Sequence, residues 1–214
     1  METAVSKKSR VRVGVAGVGY WGKNLVRNFH ELGALEALCD ADPSVEATYK
    51  AKFSDVKFGS DYAALLRDPS VTAIALATPA VTHYEMAKAA LEAGKDVLVE
   101  KPLAIDVKHG EDLVKIAEAK GRILMVGHIL RYHPAILKLQ QLIQDGSLGK
   151  INYLYSNRLN IGKIRNEENI LWSFAPHDIS VMLALLNEGR RLNREGIHRT
   201  IRCGEDPRSL GVGN

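Results

Sequence analysis

The stretch VGVAGVGYWG, residues 13–22, decides the fold of this chain. A short valine-rich run over 11–16 contains its first residues and predicts a buried parallel strand. An apolar periodicity over 21–32 follows and predicts a helix. The glycines therefore form G-x-G-x-x-G between a strand and a helix, which is the context in which this motif binds a dinucleotide.

Each glycine of this turn has a separate task. Gly17 permits the tight turn, Gly19 lets the backbone approach a pyrophosphate, and Gly22 lets the helix pack closely on the strand. The helix N-terminus adds N–H groups and a positive dipole end that favour phosphate. We expect these glycines, with Tyr20 and Trp21, to hold the pyrophosphate of a nicotinamide cofactor. A glycine turn that holds no ligand is the alternative.

An acidic residue supplies a second signal for the same cofactor. Asp40 follows a predicted strand over 35–39 and lies 18 residues after Gly22. A carboxylate there accepts hydrogen bonds from ribose hydroxyls and repels a 2′-phosphate. Because no arginine occurs in residues 40–44, we expect NAD rather than NADP. For Asp42, a helix-capping role is an equal alternative to cofactor contact.

The rest of residues 1–128 alternates short apolar runs with helical patterns. Further strands are predicted at 71–77, 96–100 and 122–126, and helices at 44–53, 60–69, 81–93 and 107–119. This alternation predicts an α/β fold, in which a Rossmann-type parallel sheet carries helices on both faces. We expect residues 1–128 to form an NAD-binding domain.

The pattern changes after residue 128. A helix over 134–144, a half-exposed strand over 150–159 and a helix over 175–187 predict a partial α+β substrate domain, residues 129–187. Residues 188–214 are rich in arginine and glycine and have little periodicity. We expect this tail either to be disordered or to mark an incomplete version of a longer protein.

Composition argues against several classes of protein. The 214 residues are 46% hydrophobic and 25% charged, and the net charge of +4 is too dispersed to predict nucleic-acid binding. The two cysteines, Cys39 and Cys203, have neither metal-ligand nor disulfide spacing, so no metal is expected. No apolar run approaches the roughly 18 residues of a membrane span. Without an apolar N-terminal segment either, we expect a cytoplasmic protein with a small-molecule partner.

Two residues are candidates for acid–base chemistry. Lys101, in Glu100-Lys101-Pro102, follows a predicted strand and can stabilise the alkoxide that develops as hydride leaves a substrate. His177 follows Pro176 at the predicted start of a helix and can take a proton from an alcohol. Taken alone, a solvated lysine and a packed or capping histidine are the alternatives.

Four segments together resemble the Gfo/Idh/MocA oxidoreductase family. They are VGVAGVGYWGKNLVRNF (13–29), LCDADP (38–43), ATPAVTHYEMAKAALEAGKDVLVEKPLA (77–104) and GHILRYHP (127–134). The resemblance extends over about residues 11–187 and implies a Rossmann domain followed by a largely antiparallel sheet domain. It implies oxidation or reduction of sugar and polyol carbons with NAD(P), in proteins that form homo-oligomers at full length.

The resemblance also assigns residues. It implies that Lys101 polarises the reacting hydroxyl and that His177 is the general base. It implies that further residues line the cofactor or lead to the substrate, namely Thr78, Pro79, His83 and Glu100 for the cofactor and Arg131 for the substrate. Ser173 stands four residues before His177, where many members have aspartate, so it can bind substrate by a hydrogen bond but cannot act as a carboxylate.

Residues 158–169 and 171–178 resemble more narrowly the branch of this family that oxidises the 3-hydroxyl of UDP-N-acetylglucosaminuronate for polysaccharide biosynthesis. Arg158, Lys163 and Arg165 are the basic residues that would meet such an anionic sugar nucleotide. Exposed loop charges are the equal alternative. We therefore expect an NAD-dependent sugar dehydrogenase, and the alternative is a truncated, inactive nucleotide-binding remnant of one.

Overall fold

The computed structural model describes residues 11–157 and 170–186, with side chains in the second range from residue 175 onward. Within these ranges the chain forms two compact units. The first contains residues 11–129 and 170–176, and the second contains residues 130–157 and 177–186.

The first unit is built on one parallel sheet of six strands, which confirms the predicted fold class. The strands are β1 Val13–Ala16, β2 Leu35–Cys39, β3 Lys57–Gly59, β4 Ala73–Leu76, β5 Asp96–Val99 and β6 Leu124–Val126. Their order in the sheet is β3-β2-β1-β4-β5-β6. The order reverses direction between β1 and β4, and ligands of open α/β sheets bind at the carboxyl end of such a switch point.

The described residues include seven α-helices. They are α1 Gly22–Glu31, α2 Glu46–Lys52, α3 Tyr62–Arg67, α4 His83–Glu92, α5 Val107–Lys120, α6 Pro134–Gln144 and α7 Ile170–Leu185. Local capping explains several of their ends. Asp61 and Asp106 accept backbone N–H bonds at the starts of α3 and α5, and α5 ends at Gly121 with φ +59°.

Two apolar clusters pack against the sheet. Successive side chains along a strand point to opposite faces, so Val13 and Val15 join one cluster while Ala16 joins the other. Helices α4 and α5 contribute to the cluster that contains Ala16, and α1 contributes Val26 to the cluster that contains Val15. The two clusters hold the strand ends in place and thereby position the loops that follow them.

The structure corrects three predictions from the sequence. Strand β3 was missed because its three residues are exposed or half-exposed and show no apolar run. The strand predicted over 150–159 does not form over 151–157, where Tyr153 and Tyr155 are 78% and 75% exposed and no described strand pairs with them.

The third correction concerns the helix that carries His177. Helix α7 begins at Ile170, so Pro176 lies inside it and not in its first turn. His177 is therefore in the helix interior, where the positive end of the helix dipole no longer acts on it. The backbone continues the helix through the proline, at the cost of one intrahelical hydrogen bond.

Candidate cofactor and catalytic site

The glycine turn lies at the carboxyl end of β1, and its glycines have different environments. Gly17 has φ +84°, and a Cβ there would lie 2.7 Å from the carbonyl carbon of Ala77 and from the amide nitrogen of Thr78. A Cβ on Gly22 would overlap the carbonyl oxygen of Gly17. A Cβ on Gly19, by contrast, would meet no heavy atom within 4 Å. Gly17 and Gly22 are thus required by the turn itself, and Gly19 faces open space.

Val18, the residue between Gly17 and Gly19, is held by hydrogen bonds at both its N–H and its carbonyl group. The backbone N–H of Val18 donates to Oδ2 of Asp40 at 2.8 Å, and the hydroxyl of Tyr49 donates to the carbonyl oxygen of Val18 at 2.6 Å. Burial, and then the negative charge of Asp40, raise the pKa of Tyr49, which keeps the hydroxyl protonated as a donor. Sequence reasoning missed Tyr49, because a tyrosine nine positions after Asp40 belongs to no motif.

Asp40 is oriented by the backbone around it. Its second oxygen, Oδ1, accepts from the N–H of Asp42 at 3.0 Å. Each carboxylate oxygen retains a further lone pair, so a held carboxylate can still accept ribose hydroxyls. Asp42 accepts from the N–H of Ser44 at 2.9 Å, and the hydrogen bonds from Ser44 lower the pKa of the Asp42 carboxyl. Asp42 therefore acts as a helix cap.

The turn that carries Lys101 follows β5. The N–H of Glu100 donates to the carbonyl oxygen of Leu76 at 2.9 Å, which fastens the start of the turn to β4. Lys101 is half-buried, and Pro102, joined to it by a cis peptide bond, is buried.

The buried ring of His83 contacts the backbone of this turn. Only 1% of His83 is exposed, and its Nδ1 lies 2.7 Å from the carbonyl oxygen of Pro102. Its Nε2 lies 2.9 Å from the carbonyl oxygen of Thr78. His83 was expected to line the cofactor, but the structure places its ring beneath two backbone segments of that edge. It can act on a ligand only by fixing those segments.

Trp21 links the glycine turn to the lysine turn. Its indole Nε1 donates to Oε1 of Glu100 at 2.6 Å, although 41% of the residue is exposed. Tyr20 is 73% exposed, with the ammonium of Lys23 5.0 Å from its ring centroid. The expected cofactor residues Trp21 and Glu100 are thus in direct contact, and Tyr20 faces solvent.

The segment after β4 completes this edge. Thr78 is half-buried, and its hydroxyl accepts from the hydroxyl of Thr82 at 2.8 Å. Pro79 is exposed and precedes a 3-10 helix over Ala80–Thr82. Thr78 and Pro79 therefore follow a strand that is a direct neighbour of both β1 and β5.

The remaining expected residues belong to the second unit or lie outside the described residues. Arg131 is exposed in a 3-10 helix over Ile129–Tyr132, and His177 is half-buried in α7. The side-chain carboxylate of Asp178, the neighbour of His177, accepts from the hydroxyl of Ser156 at 3.1 Å. The structure does not describe Arg158, Lys163, Arg165 or the side chain of Ser173.

The described parts of the chain contain neither a cluster of candidate metal ligands nor a membrane-spanning helix. Among residues 11–157 and 175–186, no three His, Cys, Asp or Glu side chains lie together as candidate metal ligands. None of the helices that the structure describes is both long and apolar enough to cross a membrane.

The switch point, the glycine turn and the oriented Asp40 define a dinucleotide-binding Rossmann unit. The family model described as the oxidoreductase family with an NAD-binding Rossmann fold matches residues 11–128. This chain therefore belongs to the Gfo/Idh/MocA oxidoreductase family.

Known proteins of two activities are similar to this chain. The UDP-N-acetylglucosamine 3-dehydrogenase of Acidithiobacillus ferrooxidans is 30% identical over 176 residues, which cover 82% of this chain and 54% of that enzyme. Inositol 2-dehydrogenase 1 of Saccharopolyspora erythraea is 33% identical over 197 residues, covering 89% and 58%. Both similar proteins are dehydrogenases, and they differ in substrate.

A solved structure shows the same fold. GenD2 from gentamicin A biosynthesis, in complex with NAD, has a TM-score of 0.75 and 23% identity, covering 84% of this chain and 54% of that one. The chain spans about half the length of the curated relatives it matches.

Proposed function

We propose that this chain is an NAD-dependent dehydrogenase that oxidises a hydroxyl of a sugar or sugar nucleotide. The observation that carries the proposal is the contact between the glycine turn and the lysine turn, through Trp21 and Glu100. It brings a dinucleotide-binding loop and a candidate catalytic ammonium to one edge of the sheet. This is the juxtaposition that hydride transfer from a bound alcohol requires.

The residues at the turn fit a dinucleotide. A side chain on Gly19 would occupy the open space beside the backbone, where a pyrophosphate can approach. The N-terminus of α1 places the positive end of its helix dipole at the turn, while the N–H groups of Lys23 and Asn24 donate to the carbonyl oxygens of Gly19 and Trp21. Asp40, held by the N–H groups of Val18 and Asp42, presents a negative charge that accepts ribose hydroxyls and repels a 2′-phosphate. We therefore propose NAD as the cofactor rather than NADP.

A nicotinamide cofactor held by the glycine turn and Asp40 would supply the hydride acceptor for the substrate carbon. Lys101 holds the substrate hydroxyl by a hydrogen bond from its ammonium and stabilises the alkoxide that develops there. His177 takes the hydroxyl proton as general base. The half-buried position of Lys101 suits this task, because an ammonium partly withdrawn from water stabilises a developing anion more strongly.

For the substrate we propose the 3-hydroxyl of a UDP-linked amino sugar, with UDP-N-acetylglucosaminuronate as the first compound to test. The similar UDP-N-acetylglucosamine 3-dehydrogenase supports this choice. Arg131, Arg158, Lys163 and Arg165 are the proposed partners of the anionic groups, and Ser173 of a sugar hydroxyl. The similar inositol dehydrogenase makes a free polyol the comparison substrate.

Dinucleotide binding without turnover is the second candidate. The exposure of Tyr153 and Tyr155 favours it, because a substrate-domain strand needs a partner and the described residues contain none for it. A protein with this second function would bind the dinucleotide through the same residues but would have no formed pocket for a substrate.

One experiment separates the two candidates. Thermal unfolding is followed with and without NAD, and NADH production is followed at 340 nm with the UDP-sugar or myo-inositol. Stabilisation by NAD together with substrate-dependent NADH, abolished in Lys101→Ala, is the expected result. Stabilisation without turnover establishes the second candidate, and a Lys101→Ala protein with full turnover removes Lys101 from the mechanism.

A further inference from the structure

We propose that Trp21 and Glu100 form a mechanical link through which dinucleotide binding at the glycine turn sets the position of Lys101. Both are positioning residues in this proposal. The inference rests on the proposed function, because it takes NAD as the ligand of the turn and Lys101 as the acting ammonium.

The first step is the bond itself. The indole of Trp21 donates to the carboxylate of Glu100 at 2.6 Å, and hydrogen bonds to a charged acceptor are stronger than neutral ones. Trp21 immediately precedes α1 and Glu100 immediately follows β5. With 41% of Trp21 exposed, core packing alone does not orient the indole. The bond to Glu100 therefore adds a directional constraint on the indole.

The second step is that Glu100 is confined on its other side. A Cβ built on Gly127 would lie 2.9 Å from Oε2 of Glu100 and 3.1 Å from its Cδ. The carboxyl group thus occupies the space that the absence of a side chain at Gly127 leaves. A displacement of the indole is transmitted to the glutamate through their hydrogen bond, and any side chain at position 127 would displace the carboxylate.

The third step is that Lys101 stands between two anchored neighbours. Glu100 is fastened through its N–H to Leu76 and through its carboxylate to Trp21. Pro102 is fastened through its carbonyl to the buried ring of His83. Because the residues on both sides of Lys101 are held, a shift of the Glu100 backbone also moves the backbone of Lys101. Such a shift changes the position of the Lys101 ammonium.

The fourth step is that the turn is open to a ligand close to Trp21. Val18 is clamped by Asp40 and Tyr49, while Gly19 faces open space. A dinucleotide that approaches Gly19 therefore meets the open side of the turn, two residues from the indole. The carbonyl oxygen of Gly19 accepts from the N–H of Lys23 at 3.3 Å, which joins this part of the turn to the start of α1. Contact there can act on the Trp21–Glu100 bond while Asp40 and Tyr49 hold Val18.

The test uses the two tryptophans of the chain, Trp21 and Trp172. In a Trp172→Phe protein all indole emission comes from Trp21, and titration with NAD should change that emission saturably. Trp21→Phe and Glu100→Ala should each weaken NAD binding, by at most about fivefold, because the indole beside the ligand is no longer held and one net hydrogen bond is the most that this can cost. The double variant should be no weaker than either single one, because one bond is removed in all three.

Glu100→Gln is the matched control, since its amide oxygen can still accept the indole N–H while the charge is removed. It should bind NAD more tightly than Glu100→Ala. Gly127→Ala is the second variant and should weaken binding as Glu100→Ala does, because the added methyl group displaces the carboxylate. Circular dichroism establishes that each variant is folded before it is compared.

The position of Lys101 is read by amine labelling and mass spectrometry, with exposed Lys115 as the internal reference. NAD should change the labelling rate of Lys101 in the wild type and in Glu100→Gln, and should change it less in Trp21→Phe and Glu100→Ala. A purely structural role for Trp21 would lower stability without removing this NAD-dependent difference.

The outcomes are distinct. If NAD binds but the two single variants weaken binding additively, or the labelling change is the same in all proteins, the link is refuted and the proposed function stands. If NAD neither stabilises the protein nor changes Trp21 emission, the proposed function fails and the coupling fails with it.

Discussion

Replacing Asp40 by asparagine should both relax cofactor choice and loosen the glycine turn. The two carboxylate oxygens of Asp40 accept the N–H groups of Val18 and Asp42 at 2.8 and 3.0 Å. Asparagine has one acceptor oxygen and one donor NH₂ group, so one of these N–H groups would face a donor. The lost bond should lower the free energy of unfolding by about 1 kcal/mol.

The effect on cofactor choice follows from the lost charge. One carboxylate charge about 5 Å from one phosphate charge repels it by about 1 kcal/mol in bulk water and about 3 kcal/mol near a protein surface. The preference for NAD over NADP should therefore fall by roughly 5- to 150-fold. Affinity for NAD itself should fall as well, because the ribose hydroxyls lose charged acceptors.

The assay is a titration of Asp40→Asn and wild type with NADH and NADPH, followed by nicotinamide fluorescence. Asp106→Asn is the matched control, since it removes one negative charge from the cap of α5 and asparagine caps helices equally well. An unchanged NADH-to-NADPH ratio in Asp40→Asn, or a wild type that prefers NADPH, would refute the role assigned to this carboxylate.

Three further predictions follow from the same geometry. Gly17→Ala should lower the free energy of unfolding by about 1–3 kcal/mol and abolish NAD binding, because a Cβ at φ +84° collides with backbone atoms. Gly19→Ala should keep the wild-type melting temperature and lose only NAD affinity. Equal melting temperatures for the two variants would contradict this distinction. Hydrogen bonds from Lys57 and Ser70 lower the pKa of Asp68 to about 2, so this carboxyl stabilises the fold above about pH 4 and loses that contribution as the pH falls through 2. Between pH 7 and pH 3, the free energy of unfolding in urea should therefore fall less for Asp68→Asn than for the wild type. His83→Ala removes the ring whose nitrogens contact the Pro102 and Thr78 carbonyl oxygens, so it should lower the melting temperature. NAD should then change the labelling rate of Lys101 less than it does in the wild type.

The sequence predicted closely those segments in which local physics dominates. The turn at Gly17–Gly22, the strand over Leu35–Cys39 and the helix over Pro134–Gln144 have the predicted bounds. The turn needs a positive φ at Gly17, and the other two segments have clear apolar patterns. Both signals are carried by residues that are close together in the sequence.

Predictions failed where a partner distant in the chain decides the outcome. A strand exists only if another strand pairs with it, so the alternating pattern over 150–159 was insufficient by itself. The same dependence hid β3, which forms because β2 offers it an edge. The start of α7 was predicted too late because Pro176 was taken as a first-turn residue. The helix in fact begins at Ile170 and continues through Pro176 despite one missing hydrogen bond.

The sequence by itself determined that this chain contains a dinucleotide-binding turn with an acidic partner, since both depend on short-range spacing after a strand. Only the tertiary structure decided how the parts of the site are joined. Trp21 meets Glu100 across 79 positions of the chain, and His83 at the start of α4 contacts Pro102 in the turn after β5. Such contacts depend on the strand order that places β4 between β1 and β5, and no local pattern of residues encodes that distance.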